Sequence, residues 1–305
     1  MTMPQASPYL LLTLTVFFWS GNWITGRALH DDVPPMTLTF FRWLFSLIIL
    51  APFVWRRILR DWPVIRAHWR TMVWLGVVGI AFHNALAYLG LNFTTATNGV
   101  ILNSFIPVMI IAMAWLFFGE RLTALQLCGV GVSLIGVLTI LSGGSLDALA
   151  SFRLNIGDLF VILAMAMWSL YTVMLRRRPP GIDILSFLFV LAVVGELCLL
   201  PLWLVEATLW RSAVWTPATV AAIVGVAVFS SVLAYVFWNR GVDAVGPQVA
   251  GLFVHLMPAF GAILAWLFLD ERLQAFHLAG IALILTGIAL TSARRRMPAR
   301  SGPEP

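Results

Sequence analysis

Residues 107–136 read PVMIIAMAWLFFGERLTALQLCGVGVSLIG, and residues 258–287 read PAFGAILAWLFLDERLQAFHLAGIALILTG. At a constant offset of 151 positions the two stretches share a proline, an Ala-Trp-Leu-Phe tetrapeptide, a Glu-Arg-Leu tripeptide and two glycines. The similarity continues upstream at slightly different offsets, so the sequence consists of two related halves. The anchoring pairs are Pro107 and Pro258, Glu120 and Glu271, Gly129 and Gly280, and Gly136 and Gly287.

The composition places both halves in lipid. Of 305 residues, 61% are hydrophobic and 10% are charged, and the mean hydropathy is +0.94. A soluble domain of this size could not hide so much apolar surface from water. Stretches long enough for the ~20 apolar residues that cross a bilayer predict an all-α membrane protein with ten transmembrane helices, five per half. They lie at 9–29, 36–55, 71–91, 98–118, 124–141, 156–175, 184–205, 217–239, 247–268 and 275–292.

The arginines orient the chain in the membrane. All nineteen basic residues are arginines, and a cytoplasmic N-terminus puts fourteen of them on the inner side and four on the outer side, with Arg42 inside a span. Because cytoplasmic loops carry the excess of positive charge, both termini are predicted to be cytoplasmic. The arginine clusters lie in loops that are separated by spans and have no reader motif beside them, which argues against nucleic acid as a partner.

Five spans are an odd number, so the second half must enter the membrane from the side opposite to the first. The predicted fold is therefore two inverted five-helix repeats, residues 1–145 and 150–293, followed by a disordered cytoplasmic tail at 294–305. Inverted repeats are typical of transporters, in which two similar bundles exchange conformations and open alternately to the two sides.

Two further motifs precede the repeated blocks. Residues 17–29 read FFWSGNWITGRAL, and residues 34–43 read PPMTLTFFRW. With these motifs and the two P…WLFxxERL blocks in this order, the chain resembles the EamA-type drug/metabolite transporter superfamily and, within it, bacterial aromatic amino acid exporters. The resemblance implies ten helices in two inverted repeats, a place in the bacterial inner membrane, and movement of small metabolites or amino acids out of the cytoplasm.

Arg42 is a charged residue within the second predicted span. It lies ~9 Å from the outer end at 1.5 Å per residue, where a charge costs a few kcal/mol unless it pairs or reaches water. Either Arg42 bonds helix-end carbonyls as a structural residue, or it anchors the carboxylate of a substrate.

The repeat also brings small polar residues to a comparable depth in four helices, which a central cavity or interhelical hydrogen bonds would explain. Aromatic residues at or next to repeat-equivalent positions can line a pocket for a flat, partly apolar ligand, or can simply pack in the core. The predicted substrate-binding residues are Trp19, Asn22, Arg42, His83, Asn84, Tyr88, Asn103, Trp168, Tyr171, Tyr235 and His255.

Glu196 is the acid that falls deepest in a predicted span. If transport is coupled to protons, Glu196, His83 and His255 are the candidates that titrate, and otherwise they are structural. Pro107 and Pro258 each remove a backbone hydrogen bond in the middle of a helix, so they are predicted to form hinges or static bends.

Glu120 and Arg121 stand in a short turn between two spans. Thr123 and Gln126 fit the N-cap and third position of a capping box there, which favours turn and cap chemistry over a gating salt bridge.

The sequence lacks the G-x-x-x-x-G-K-[ST] motif of ATP-binding loops, the H-E-x-x-H motif of zinc enzymes and a recognisable nucleophile motif. We therefore expect a gradient-driven carrier of a small molecule, not an enzyme, with neither a metal nor a cofactor. A broad-specificity metabolite or drug carrier is the alternative within transport, and a membrane-embedded enzyme or scaffold is the more distant one. Neither the cargo nor the oligomeric state follows from the sequence.

Overall fold

A computed structural model describes residues 7–29, 31–91, 93–94, 96–145, 155–268 and 273–292. The described residues form helices and turns, with no strand among them, as the sequence predicted for an all-α membrane protein. The first half contains α1 (Pro8–Ala28), α2 (Pro35–Ala67), α3 (Trp69–Gly76), a π-helical stretch (Val77–Phe82), α4 (His83–Leu91), α5 (Ala96–Asn103), α6 (Ile106–Phe118) and α7 (Ala124–Leu141).

The second half repeats this order. It contains α8 (Ile156–Met174), a 3-10 turn (Leu175–Arg177), α9 (Ile184–Leu209), α10 (Pro217–Val226), a π-helical stretch (Ala227–Leu233), α11 (Ala234–Val245), α12 (Pro247–Leu252), a 3-10 turn (Phe253–His255), α13 (Leu256–Phe268) and α14 (Ala275–Ser292).

Each of the ten apolar segments that the sequence predicted falls on helix. Within the described residues, eight helices are long and apolar enough to cross a membrane. α1 and the α3–α4 stretch, which carry polar residues such as Asn22, His83 and Asn84, are not among these eight. The predicted count of ten spans therefore stays a prediction, and the tail at 294–305 lies outside the described residues.

α7 and α14, the last helices of the two halves, pack antiparallel through glycines. A Cβ atom on Gly129 would lie 2.7 Å from the carbonyl oxygen of Gly287, and one on Gly280 would lie 2.6 Å from that of Gly136. The repeat pairs Gly129 with Gly280 and Gly136 with Gly287, so the two contacts are images of each other. That reciprocity is the signature of a two-fold axis perpendicular to the helices, as inverted repeats require.

The other main helix contacts also join the two halves. α2 packs against α9, α4 packs against α8, and α1 packs against α11 and α13. The two repeats are therefore interlocked, and most of the core lies between them rather than within either one.

Carboxylates hold both ends of the α2–α9 pair. Glu206 near the end of α9 accepts hydrogen bonds at the start of α2 from the backbone N–H groups of Met36 (3.0 Å) and Thr37 (2.7 Å). Asp61 near the end of α2 accepts from the backbone N–H of Asp183, the N-cap residue of α9, at 3.0 Å. Each helix thus supplies a carboxylate to the N-terminal end of the other, where helix dipoles favour negative charge.

Both prolines that the sequence singled out lie at helix interruptions. α5 ends at Asn103 and α6 begins at Ile106, with Pro107 in its first turn. Pro258 is the third residue of α13 and follows the 3-10 turn Phe253–His255. These interruptions fit the missing backbone donor of proline, while a hinge motion at either one stays a prediction.

The turn between α6 and α7 forms the predicted capping box. Thr123 Oγ1 accepts from the backbone N–H of Gln126, and Gln126 Oε1 accepts from that of Thr123 at 3.0 Å. Glu120 also forms an ion pair with Arg176, which follows α8 in the other half. The sequence favoured cap chemistry over a gating salt bridge here because Thr123 and Gln126 fit a capping box. Arg176 lies 56 positions away, so local turn chemistry could not reveal this partner.

Candidate functional site

The stretch Val77–Phe82 is a π-helix, which bonds residue i to i+5 and frequently marks a functional site. Two of its carbonyl oxygens accept side-chain donors. Gly79 O accepts from the Tyr235 hydroxyl at 3.2 Å, and Ile80 O accepts from the Asn84 amide at 2.6 Å. The bulge therefore holds side chains from both halves of the protein.

The corresponding stretch of the second half, Ala227–Leu233, is also π-helical. Ala227 O accepts from the Ser46 hydroxyl at 3.2 Å, and Ser230 O accepts from the indole N–H of Trp19 at 3.1 Å. Neither π-helical bulge was predicted from the sequence, since the apolar pattern of a span carries no sign of one extra residue in a turn.

Four of the predicted aromatic residues come together beside these bulges. Between ring centroids, Trp168 lies 5.1 Å from Trp19, 5.3 Å from Tyr171 and 5.4 Å from Tyr235. Trp168 is only 3% exposed. The Tyr171 hydroxyl donates to Asn239 Oδ1 at 3.0 Å, so the buried hydroxyl of this tyrosine has a hydrogen-bond partner.

Two further tryptophans that the sequence analysis missed complete the group. Trp238 lies 5.2 Å from Trp19, and Trp43 lies 5.0 Å from Tyr235. Trp238 follows Tyr235 by three residues, about one helical turn, which is a signal that could have found it. The aromatic cluster therefore consists of Trp19, Trp43, Trp168, Tyr171, Tyr235 and Trp238.

Arg42 is buried next to this cluster, with 4% of its surface exposed. Its Nη2 donates to Asn84 Oδ1 at 2.7 Å, and its guanidinium lies 5.6 Å from the ring centroid of Trp43. Its Nε has no hydrogen-bond partner. Arg42 is thus held by Asn84 and Trp43 and keeps one buried donor free. Among the described residues it makes no bond to a helix-end carbonyl, and its structural reading from the sequence stays an alternative.

Glu196 of α9 is also buried, with 8% of its surface exposed, and neither carboxylate oxygen has a hydrogen-bond partner. The preceding residue, Gly195, packs against the Ile80 side chain of the first π-helical stretch. Arg42 is the charged group that acts electrostatically on Glu196. Arg42 is bonded to Asn84, which is bonded to the Ile80 carbonyl, so the predicted substrate anchor and the predicted proton carrier lie about the same π-helical stretch.

His83 is the first residue after the first bulge, and it contacts the aromatic cluster and α8. Its Nδ1 lies 3.0 Å from the carbonyl oxygen of Ala164, so this nitrogen carries the proton, since a carbonyl only accepts. Its ring lies 5.2 Å from that of Trp168. His83 is half-buried, and its Nε2 is the ring nitrogen that remains for a ligand or a proton.

His255 is fully buried, and the protein uses both of its ring nitrogens. Nε2 lies 2.9 Å from the carbonyl oxygen of Ser104 and must donate to it, and Nδ1 lies 2.6 Å from the Ser133 hydroxyl, which then donates to the ring. This arrangement fits a neutral imidazole that joins the 3-10 turn before α13 to Ser104, just after α5, and to α7. It places His255 among structural contacts, away from the aromatic cluster.

The remaining candidates are dispersed. Asn103 donates to Met257 Sδ at 3.3 Å, near the interruption before Pro258. Asn22 is half-buried, and its Oδ1 is buried without a hydrogen-bond partner. The Tyr88 side chain lies outside the described part of the structure.

Two cavities flank the site. One of about 400 Å³ lies between α1 and α10 and includes Asn22 and Ser230 in its wall. The other, of about 650 Å³ and almost wholly apolar, lies between α2, α4 and α9. Its wall includes Phe82 and Ala85, which flank His83 and Asn84 in the sequence.

Comparisons with known proteins match this chain to membrane transporters over nearly its full length. The profile of the EamA-like transporter family matches twice, at residues 6–142 and 155–293. A protein of Archaeoglobus fulgidus named as an uncharacterized transporter is 30% identical, over 95% of this chain and 99% of that protein.

A Chlamydia trachomatis protein named as an S-adenosylmethionine/S-adenosylhomocysteine transporter is 22% identical, over 92% of this chain and 87% of that protein. A crystal structure with 19% sequence identity covers 94% of this chain and 96% of its own, with a TM-score of 0.76. At that identity the structural match concerns the fold alone.

Proposed function

Since the chain belongs to the EamA-like transporter family of membrane transporters, we propose that it exports small amphipathic metabolites without ATP, with amino acids, including aromatic ones, as the first choice. Transport proceeds by alternating access around the two π-helical stretches. The protein lies in the bacterial inner membrane with both termini in the cytoplasm, and its two halves, residues 1–145 and 150–293, are the moving units.

One observation supports this choice of substrate above the others. The buried, partly unpartnered Arg42 contacts Trp43 of the aromatic cluster and acts electrostatically on the buried, unpartnered Glu196. An apolar cavity lies along the same face of α2 as Arg42, at Pro35. An aromatic amino acid matches such a site, since it carries two opposite charges and a flat apolar side chain. The substrate-binding residues proposed from the sequence keep that role here, except His255, whose two ring nitrogens are both bonded within the protein. Trp43 and Trp238 are added to them.

A broader metabolite carrier is the second candidate function. The relative named as an S-adenosylmethionine/S-adenosylhomocysteine transporter favours it, because those compounds join an amino acid head to a large aromatic base. A site that recognises the head and tolerates the remainder would accept both classes.

Counterflow in proteoliposomes tests the proposal. Purified protein is reconstituted with internal unlabelled amino acids, and uptake of labelled phenylalanine, alanine and S-adenosylmethionine is compared with that of empty liposomes. We expect substrate-dependent uptake of at least one amino acid. Uptake of S-adenosylmethionine alone would favour the second candidate, and consumption of a compound without counterflow would indicate an enzyme.

Proton coupling is tested in the same vesicles. We propose Glu196 and His83 as the groups that exchange protons with the substrate cycle, with His255 as the third candidate from the sequence. Imposing a proton gradient should then change net uptake in the wild type and not in Glu196→Gln. Transport that is indifferent to the gradient would assign all three residues to structure.

A further inference from the structure

We infer that Arg42 and Glu196 form a two-ended receptor for the head group of a zwitterion, with the substrate carboxylate at Arg42 and its ammonium at Glu196. The inference rests on the proposed function and adds the class of head group and its orientation in the site.

Both residues have buried polar atoms whose hydrogen bonds are unmet. Glu196 has two buried carboxylate oxygens without a partner, and Arg42 has a buried Nε without one. No nitrogen–oxygen contact of 4 Å or less joins the two side chains, although the charge of Arg42 acts on Glu196. Burying two opposite charges this way is costly unless something between them forms the missing bonds.

A ligand with a carboxylate and an ammonium fits chemically between Arg42 and Glu196. A carboxylate pairs well with a guanidinium through charge-assisted hydrogen bonds, and an ammonium supplies three donors to a carboxylate. A ligand with only one of these groups would satisfy one residue and leave the other buried and unpaired. The pair therefore selects for both charges on one small molecule.

Contacts within the protein position Arg42 before any ligand arrives. Its Nη2 is bonded to Asn84 Oδ1, the Asn84 amide is bonded to the Ile80 carbonyl of the π-helical stretch, and its guanidinium lies against Trp43. Such a supporting shell is what a precise binding site needs. The π-bulge makes it possible, since it directs the Ile80 carbonyl to the Asn84 side chain.

The surroundings orient the rest of the substrate. Arg42 lies two turns after Pro35 on the same face of α2, and Pro35 lines the apolar cavity of about 650 Å³. With its head between Arg42 and Glu196, the substrate has its apolar side chain directed toward this cavity.

Three matched compounds test the wild type. Counterflow of labelled phenylalanine is competed with unlabelled phenylalanine, with phenethylamine, which has the ammonium alone, and with 3-phenylpropionate, which has the carboxylate alone. We expect either single-charge compound to compete roughly 10- to 100-fold more weakly than phenylalanine, because each leaves one buried group unpaired. Equal competition by either single-charge compound would overturn the inference.

Variants then assign each charge to its residue. Glu196→Gln should remove most of the preference for phenylalanine over 3-phenylpropionate, and Arg42→Gln should remove most of its preference over phenethylamine. Asp61→Asn, which alters another buried carboxylate at the far end of the α2–α9 pair, should keep both preferences. If either neutral variant does not fold, Glu196→Asp and Arg42→Lys keep the charges and should keep both preferences.

Failure of the inference differs from failure of the proposed function. If no amino acid shows counterflow, the proposed function is wrong. If phenylalanine is transported and the neutral variants retain the wild-type preferences, the transport assignment stands and the two-ended receptor is wrong.

Discussion

Gly129 of α7 and Gly287 of α14 face each other so closely that a side chain fits at neither position. A Cβ atom on Gly129 would lie 2.7 Å from the Gly287 carbonyl oxygen, closer than real Cβ atoms approach. In a membrane, where lipid is as apolar as leucine, such close backbone contact is a main source of helix association. The same crossing occurs again between Gly136 and Gly280.

Gly129→Ala should therefore lower the free energy of unfolding by about 1–3 kcal/mol, because its methyl group overpacks the crossing. Gly131→Ala is the matched control on the same helix, since a Cβ atom there meets nothing within 4 Å. Alanine at that control position gains about 1 kcal/mol in helix propensity. Thermal unfolding in detergent, read by size-exclusion chromatography, measures both. Equal loss in the two variants would contradict the contact.

The carboxylate cap on α2 gives a second prediction. Glu206→Ala leaves the Met36 and Thr37 amides without their acceptor, which should cost about 1–2 kcal/mol. Thr208→Ala is the control on the same helix, because its exposed hydroxyl bonds to the Leu204 and Val205 carbonyls of its own helix. Unfolding temperatures report the difference, and an unchanged value for Glu206→Ala would show that water replaces the cap.

Trp168 contacts several rings of the aromatic cluster, so its removal affects more than binding. Trp168→Ala should cost about 3–5 kcal/mol through the cavity it leaves. Trp168→Phe keeps an aromatic ring, and it should retain most of the folded protein and raise the KM for aromatic amino acids. Trp115→Phe changes an exposed tryptophan and serves as the control. A Trp168→Ala protein as stable as the wild type would mean that the cluster contributes little to the core.

The Ser133 hydroxyl satisfies the Nδ1 acceptor of His255 at 2.6 Å. Ser133→Ala should cost about 1–3 kcal/mol, because it leaves a buried acceptor without a donor. Its transport KM should match the wild type, since His255 lies away from the aromatic cluster. Thr139→Ala, at a half-buried position on the same helix where the hydroxyl bonds to the Ile135 carbonyl, controls for loss of a hydroxyl. A large change in KM with normal stability would return His255 to the substrate path.

Cysteine labelling tests the predicted sidedness. In a background without Cys128 and Cys198, Ala67→Cys and Ser212→Cys each introduce a thiol at an exposed position. An impermeant maleimide applied to spheroplasts should label Ser212→Cys and not Ala67→Cys, and it should label both after permeabilisation. The opposite pattern would reverse the predicted topology, and equal labelling of both before permeabilisation would contradict inverted halves.

Features set by composition, by the internal repeat or by nearby residues were predictable from the sequence. The sequence alone reveals the apolar segments, the two halves anchored by Pro107 and Pro258, and the Thr123–Gln126 capping box. The repeat pairs Gly129 with Gly280, yet it is Gly287 that Gly129 contacts. The pairing records descent, whereas the contact follows from the antiparallel crossing of α7 and α14.

The tertiary structure alone decided how the candidate site is assembled. Arg42 and Glu196 are 154 positions apart, and their proximity depends on how α2 and α9 pack around the π-helical stretch Val77–Phe82. Trp43 entered the aromatic cluster, and His255 was placed outside it, for the same reason. An apolar segment determines that a helix enters lipid, but the rotation of each helix about its axis, and so what its polar residues meet, is determined by packing against the other half.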